Sequence, residues 1–83
     1  MTAVVWSAEA EIELLQLPVG GARALLDALD ELASEGRGFV RDMLDERGTR
    51  ALYVPDYVAF FRLDAAENIH VLRVRQMRVE TRP

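Results

Sequence analysis

Eighty-three residues allow one domain, 1–83, with a thin core, since a chain this short buries only about 60% of its unfolded surface. A hydrophobic fraction of 51% and a charged fraction of 29% exclude a disordered chain. The absence of cysteine excludes disulfides and thiolate metal sites, and a single histidine, His70, argues against a zinc centre, so neither metal nor cofactor is expected. The net charge of −4 is unevenly spread: residues 1–36 carry seven acids and one arginine, while residues 37–83 carry nine arginines and seven acids. All ten basic residues are arginine, a bias consistent with GC-rich coding that also supplies forked donors for carboxylate or phosphate. No apolar run approaches the ~20 residues of a membrane span, and "MTAVVWSAEAE" has no basic stretch ahead of its apolar one. The expected location is the cytoplasm, away from any membrane.

In chain order, "TAVVWS" has the β-branched and aromatic character of a strand. Ser7 can cap a helix whose first turn holds Glu9 and Glu11, with Ala8, Ile12 and Leu15 on one face, widened by Leu14 and Leu17. Pro18 and "VGG" are expected to stop it. The spacing of Leu25, Leu26, Leu29, Leu32 and Ala33 predicts a second helix from about Ala22 to Ser34, ended by Gly36 in a left-handed turn. "FVRDML" reads as a short strand or a packed loop. Three segments, "RALYV", "YVAFFRL" and "IHVLRVRQM", then read as strands joined by "PD" and "DAAEN". The order predicts an α+β fold, β-α-α-β-β-β, with a two-helix hairpin on one face of a mainly antiparallel four-stranded sheet.

Register decides which face the arginines take. Pairing Leu63 with His70 puts Ala59, Phe61, Leu63, His70, Leu72 and Val74 under the helices. Val58, Phe60, Arg62, Ile69, Val71, Arg73 and Arg75 then form an open face that mixes cations with apolar residues. Such a face is expected to be covered by a partner.

The stretches "VVWSAEAEIELLQLP", "ALLDALDELASEGRG" and "VPDYVAFFRLDAAENIHVLRV" resemble the RelE/ParE superfamily of bacterial toxins, from Val4 to about Arg78. The resemblance implies the toxin of a type II toxin–antitoxin module, neutralised by a cognate antitoxin. It further implies either ribosome-dependent mRNA cleavage or inhibition of DNA gyrase. RelE-like nucleases draw their chemistry from two lysines, arginines and a late tyrosine or histidine on the open face. In this chain the two lysine positions fall on Ala51 and Tyr53, and the arginine after the "DY" turn falls on Val58. The last basic cluster falls on Arg75, Gln76 and Met77, and the late tyrosine on Thr81. Arginine holds phosphate but is a poor general base.

The expected partner- or phosphate-binding residues are therefore Arg62, Arg73, Arg75, Arg78, Phe60 and Val71. Any catalysis would rest on Tyr53, Arg73, Arg75 and Arg78, and little or no cleavage is expected. The alternative is a non-enzymatic binder, a gyrase inhibitor or a RelE-fold module without toxicity. A pI of about 4.9 weighs against avid nucleic-acid binding. His70 is expected as a packed core or rim residue, Trp6 as packing, Tyr57 as an ordinary strand tyrosine, and Asp42, Asp45 and Glu46 as part of a solvated loop.

Overall fold

Ser7 makes the first turn of the chain. In the computed structural model, which describes residues 2–77, its hydroxyl accepts the Ala10 N–H at 3.0 Å and caps the first helix. The same residue donates its N–H to the Val71 carbonyl at 3.0 Å and its hydroxyl to the Leu72 carbonyl at 3.1 Å. One side chain thus ends strand β1 (Val4–Trp6), starts helix α1 (Ala8–Leu15), and ties both to the last strand.

Helix α2 (Val19–Glu35) begins earlier than the apolar spacing predicts. Pro18 is its N-cap, where a residue without an N–H leaves no donor unsatisfied. Val19, Gly20 and Gly21 therefore open α2 and do not terminate α1, which ends at Leu15 with Gln16 as C-cap. Gly36 ends α2 at φ 71°, as its position predicts. Strands β2 (Phe39–Asp42), β3 (Thr49–Val54), β4 (Tyr57–Leu63) and β5 (Ile69–Gln76) follow.

The sheet has five strands where four were expected, in the order β1-β5-β4-β3-β2. The extra strand is "FVRD", which adds to the β3 edge. β1 runs parallel to β5, and the other neighbours are antiparallel. Leu25, Leu29, Leu52, Ala59, Phe61, Ile69, Val71 and Val74 form the core between helices and sheet, with Trp6 packed against it.

Two expectations about side-chain direction need correction. Leu14 on α1 and Leu17 just beyond it pack against the core as expected, but of the rest of α1 it is Ala10 that is buried, while Ile12 and Leu15 are exposed. Leu26 on α2 is likewise largely exposed. The second correction is to the β4–β5 register. From Tyr57↔Gln76 to Phe60↔Arg73 it is the predicted one, but beyond a bulge it becomes Phe61↔Val71, Arg62↔His70 and Leu63↔Ile69. Leu72 is the extra residue of the bulge, and Ser7 bonds its carbonyl. A bulge changes the pairing by one residue. Ile69 and Val71 are consequently core residues, and His70 moves to the open face.

Candidate functional site

Three cross-strand rows make up the face opposite the helices. Phe39, Tyr53, Val58 and Arg75 form the first, and Arg41, Ala51, Phe60 and Arg73 the second. Thr49, Arg62, His70 and Val5 form the third. Arginines at the flanks therefore border a centre of Ala51, Val58, Phe60 and Tyr53. Ala51 and Val58 are buried, and Tyr53 and Phe60 are half-buried.

The expected site residues divide accordingly. Arg62, Arg73, Arg75, Phe60 and Tyr53 share these rows, as foreseen. Val71 does not: the bulge places it fully buried beneath the helices, so it is unavailable to a partner on the open face. Arg78 and Thr81 lie outside the described residues.

Arg73 is engaged by its own chain. Its Nε and Nη2 donate to Glu13 Oε2, both at 2.9 Å, and the Val74 N–H donates to Glu13 Oε1 at 2.9 Å. β1 pairs β5 only as far as Val71, so the Glu13 carboxylate accepts the next exposed backbone donor on that edge. The Arg73 hydrogen bond, helped by that of Val74, holds the Glu13 carboxyl below its usual value. Glu13 in turn raises Arg73. The helical spacing of Ala8, Ile12 and Leu15 points the packed face of α1 away from Glu13, so the sequence alone gives Glu13 no role. A carboxylate one residue from Leu14, aligned with the end of a short parallel strand, was the available signal.

At the other end of the face, Arg62 Nε donates to the hydroxyl of buried Thr49 at 3.0 Å. His70 Nε2 lies 2.9 Å from Asp64 Oδ2. Asp64 also accepts the N–H groups of Ala66 and Asn68 and the Asn68 side-chain amide. The His70 bond, followed by those from Asn68 and Ala66, keeps the Asp64 carboxyl far below the ordinary carboxylate range. Of the two places expected for His70, core or rim, the core is thereby excluded: it is half-buried on the open face beside Asp64. Asp42 pairs with Arg50 at 3.3 Å, while Asp45 and Glu46 are exposed loop residues. Trp6 packs as expected.

The arrangement can bind anions at its flanks and an apolar surface at its centre. At the centre of the face the side chains of Ala51 and Val58 supply no proton donor or acceptor.

A five-stranded sheet with this order, backed on one face by an α1–α2 hairpin, decides the fold when set against solved structures. It overlays the RelBE2 toxin–antitoxin complex of Mycobacterium tuberculosis with a TM-score of 0.73 at 23% identity, covering 90% of this chain and 96% of that one. The fold is that of RelE. The isolated Escherichia coli RelE toxin overlays with a TM-score of 0.75 at 14% identity, over 96% of this chain and 88% of that chain. The RelB–RelE antitoxin–toxin complex of Methanococcus jannaschii gives 0.72 at 10% identity, over 87% and 88% of the two chains. No protein-family profile matches the sequence, and no curated protein matches it. The RelE fold is thus shared while most side chains differ. No helix among the described residues is long and apolar enough to cross a membrane.

Proposed function

We propose that this chain is the toxin-type component of a type II toxin–antitoxin module, held by a cognate antitoxin in the cytoplasm, with at most weak ribosome-dependent mRNA cleavage. The observation that carries the reading is the RelE fold combined with unpartnered apolar surface. Leu15 and Val19 are 84% and 81% exposed, and with Leu14, Leu17, Ala22 and Leu26 they line a groove between α1 and α2. Phe39 is 77% exposed at the opposite edge of the sheet. Surface of this kind favours burial against a protein.

The buried Ala51 and Val58 favour a second reading, in which the open face binds a protein such as DNA gyrase without chemistry. Ribosome binding would instead draw on Arg41 and Arg75, which make no ion pair among the described residues. The test is co-expression with the protein encoded beside this gene. Co-purification of the pair, with growth arrest by this chain alone that the neighbour relieves, supports the module. No co-purification and no arrest would remove it.

A further inference from the structure

We propose that the chain forms a two-fold dimer by pairing its edge strand β2 with β2 of a second copy, Val40 against Val40, which joins the two sheets into one. The inference goes beyond the toxin reading and stands without it: the α1–α2 groove contains no β2 residue.

β2 is an outer strand, with no neighbour beyond it among the described residues. One hydrogen bond tells which of its backbone groups are free. The Met43 N–H donates to the Thr49 carbonyl at 2.9 Å, across to β3. Hydrogen-bonded positions alternate along an antiparallel pair, and the register from Phe39↔Tyr53 to Asp42↔Arg50 is unbroken. Arg41 and Phe39 therefore also turn their N–H groups toward β3. The N–H and C=O groups of Val40 and Asp42, with the Gly38 C=O, point outward. Such a row of unpaired groups is a template for another strand, and no proline or bulge interrupts this one. The opposite edge offers less, since β1 is three residues long.

The occupant is a second copy because β2 complements itself. A two-fold axis normal to the sheet sets two copies of one strand side by side and antiparallel. It keeps both open faces on one side, so opposed residues share a face and their numbers sum to an even value. Centring the axis on Phe39, Val40 or Arg41 meets this condition. On Arg41, two arginines would stand directly opposed, which is unfavourable. On Phe39, Asp42 would face Gly36, the left-handed end of α2, and its outward groups would stay unpaired. On Val40, the two Val40 residues exchange both bonds and each Asp42 N–H reaches the other copy's Gly38 carbonyl. Phe39 then stands opposite Arg41 of the second copy, twice over. Arg41 is exposed, lines one hollow with Phe39 and Tyr53, and makes no ion pair among the described residues. A guanidinium is attracted to the face of a phenyl ring. The exposed Phe39 would be covered between Tyr53 of its own chain and that arginine. Asp42 adds no free charge to the contact, because Arg50 meets its carboxylate at 3.3 Å.

Sedimentation velocity of the full chain, from about 1 μM to about 1 mM, spans the affinities of weak complexes and should show a concentration-dependent dimer. Phe39→Ala removes both ring contacts and should weaken it about tenfold. Val40→Pro removes an outward N–H and leaves the β3 pairing, so it should abolish the dimer with an unchanged far-UV CD spectrum. The chain has no cysteine, so single-cysteine variants report the register by disulfide formation under oxidation. Val40→Cys brings two Cα atoms about 5.5 Å apart across the axis, within disulfide range. In Phe39→Cys or Arg41→Cys the like positions lie about 8 Å apart, beyond that range, so each alone should link at least about tenfold more slowly. Mixed together, those two should link to each other, from about 4.5 Å. This series decides the matter even if Val40→Pro does not fold. A monomer at every concentration, a dimer that Val40→Pro leaves intact while folded, or faster linking of Phe39→Cys or Arg41→Cys alone would overturn the proposal. So would Val40 and Asp42 amides protected from exchange only when the product of the neighbouring gene is present, which would assign the edge to that partner's strand.

Discussion

Gly21 stands where α2 approaches the β3–β4 turn, and replacing it with alanine should destabilise the protein for a reason that one further substitution can remove. A Cβ at this position would lie 2.6 Å from Tyr57 Cε1 and nearer still to Cζ. Non-bonded carbons rest at about 3.5–4.0 Å, so the ring would have to retreat by roughly 1 Å or more. It packs against the core and follows Asp56, a turn residue with φ 71°, so its freedom to retreat is limited. Overpacking of this order costs about 1–3 kcal/mol. Alanine in a helix contributes up to about 1 kcal/mol over glycine. The net expectation is a loss of about 1 kcal/mol, which lowers the Tm of a domain this size by about 4–8 °C. In a Tyr57→Ala background the obstacle is gone, and the same Gly21→Ala change should stabilise by up to about 1 kcal/mol. Urea unfolding of the four proteins of this cycle reads the reversal of sign. A Gly21→Ala protein more stable than wild type, or an equal effect in both backgrounds, would refute the packing argument.

Ser7→Ala should cost about 1–2 kcal/mol through loss of the α1 cap, and slightly more because the Leu72 carbonyl at the bulge also loses its donor; thermal melts check this. Phe61→Ala, at the centre of the core, should cost about 3–5 kcal/mol, measured by denaturant unfolding. Glu13 predicts a pH effect of definite sign. Its folded value lies below the reference of 4.5, so its contribution is present above about pH 4.5 and is lost as pH falls through the folded value. Stability followed from about pH 6 to about pH 3 should therefore decline less in Glu13→Gln than in the wild type.

The order of elements was legible because each strong local signal agreed with the tertiary result. The Ser7 cap, the Leu25–Leu29–Leu32 spacing, the Gly36 stop and the "PD" turn all recur in the structure. Legibility failed where one residue of offset decides the outcome. The bulge at Leu72 depends on a hydrogen bond from Ser7, 65 positions away, and no local pattern in "IHVLRVRQM" records it. Predicted register therefore placed Arg73 and Arg75 correctly and misplaced Val71 and His70. On α1, apolar periodicity could not show that β1 ends early enough for Glu13 to reach Val74 N–H. Leu15 and Ile12 looked like core because exposed apolar residues at helical spacing are indistinguishable from buried ones until the neighbouring strand is placed.

The proposed function joins a RelE fold to partner binding with at most weak RNA cleavage. Its most direct test maps mRNA 5′ ends genome-wide after induction of this chain and of the Arg73→Ala/Arg75→Ala variant. Growth arrest with 5′ ends matching those of uninduced cells is the predicted result, since the resemblance to RelE-like nucleases puts Ala51 and Val58, which carry no acid or base, at positions that family uses for its chemistry. Abundant new ends at fixed codon positions, lost in the double variant, would contradict it.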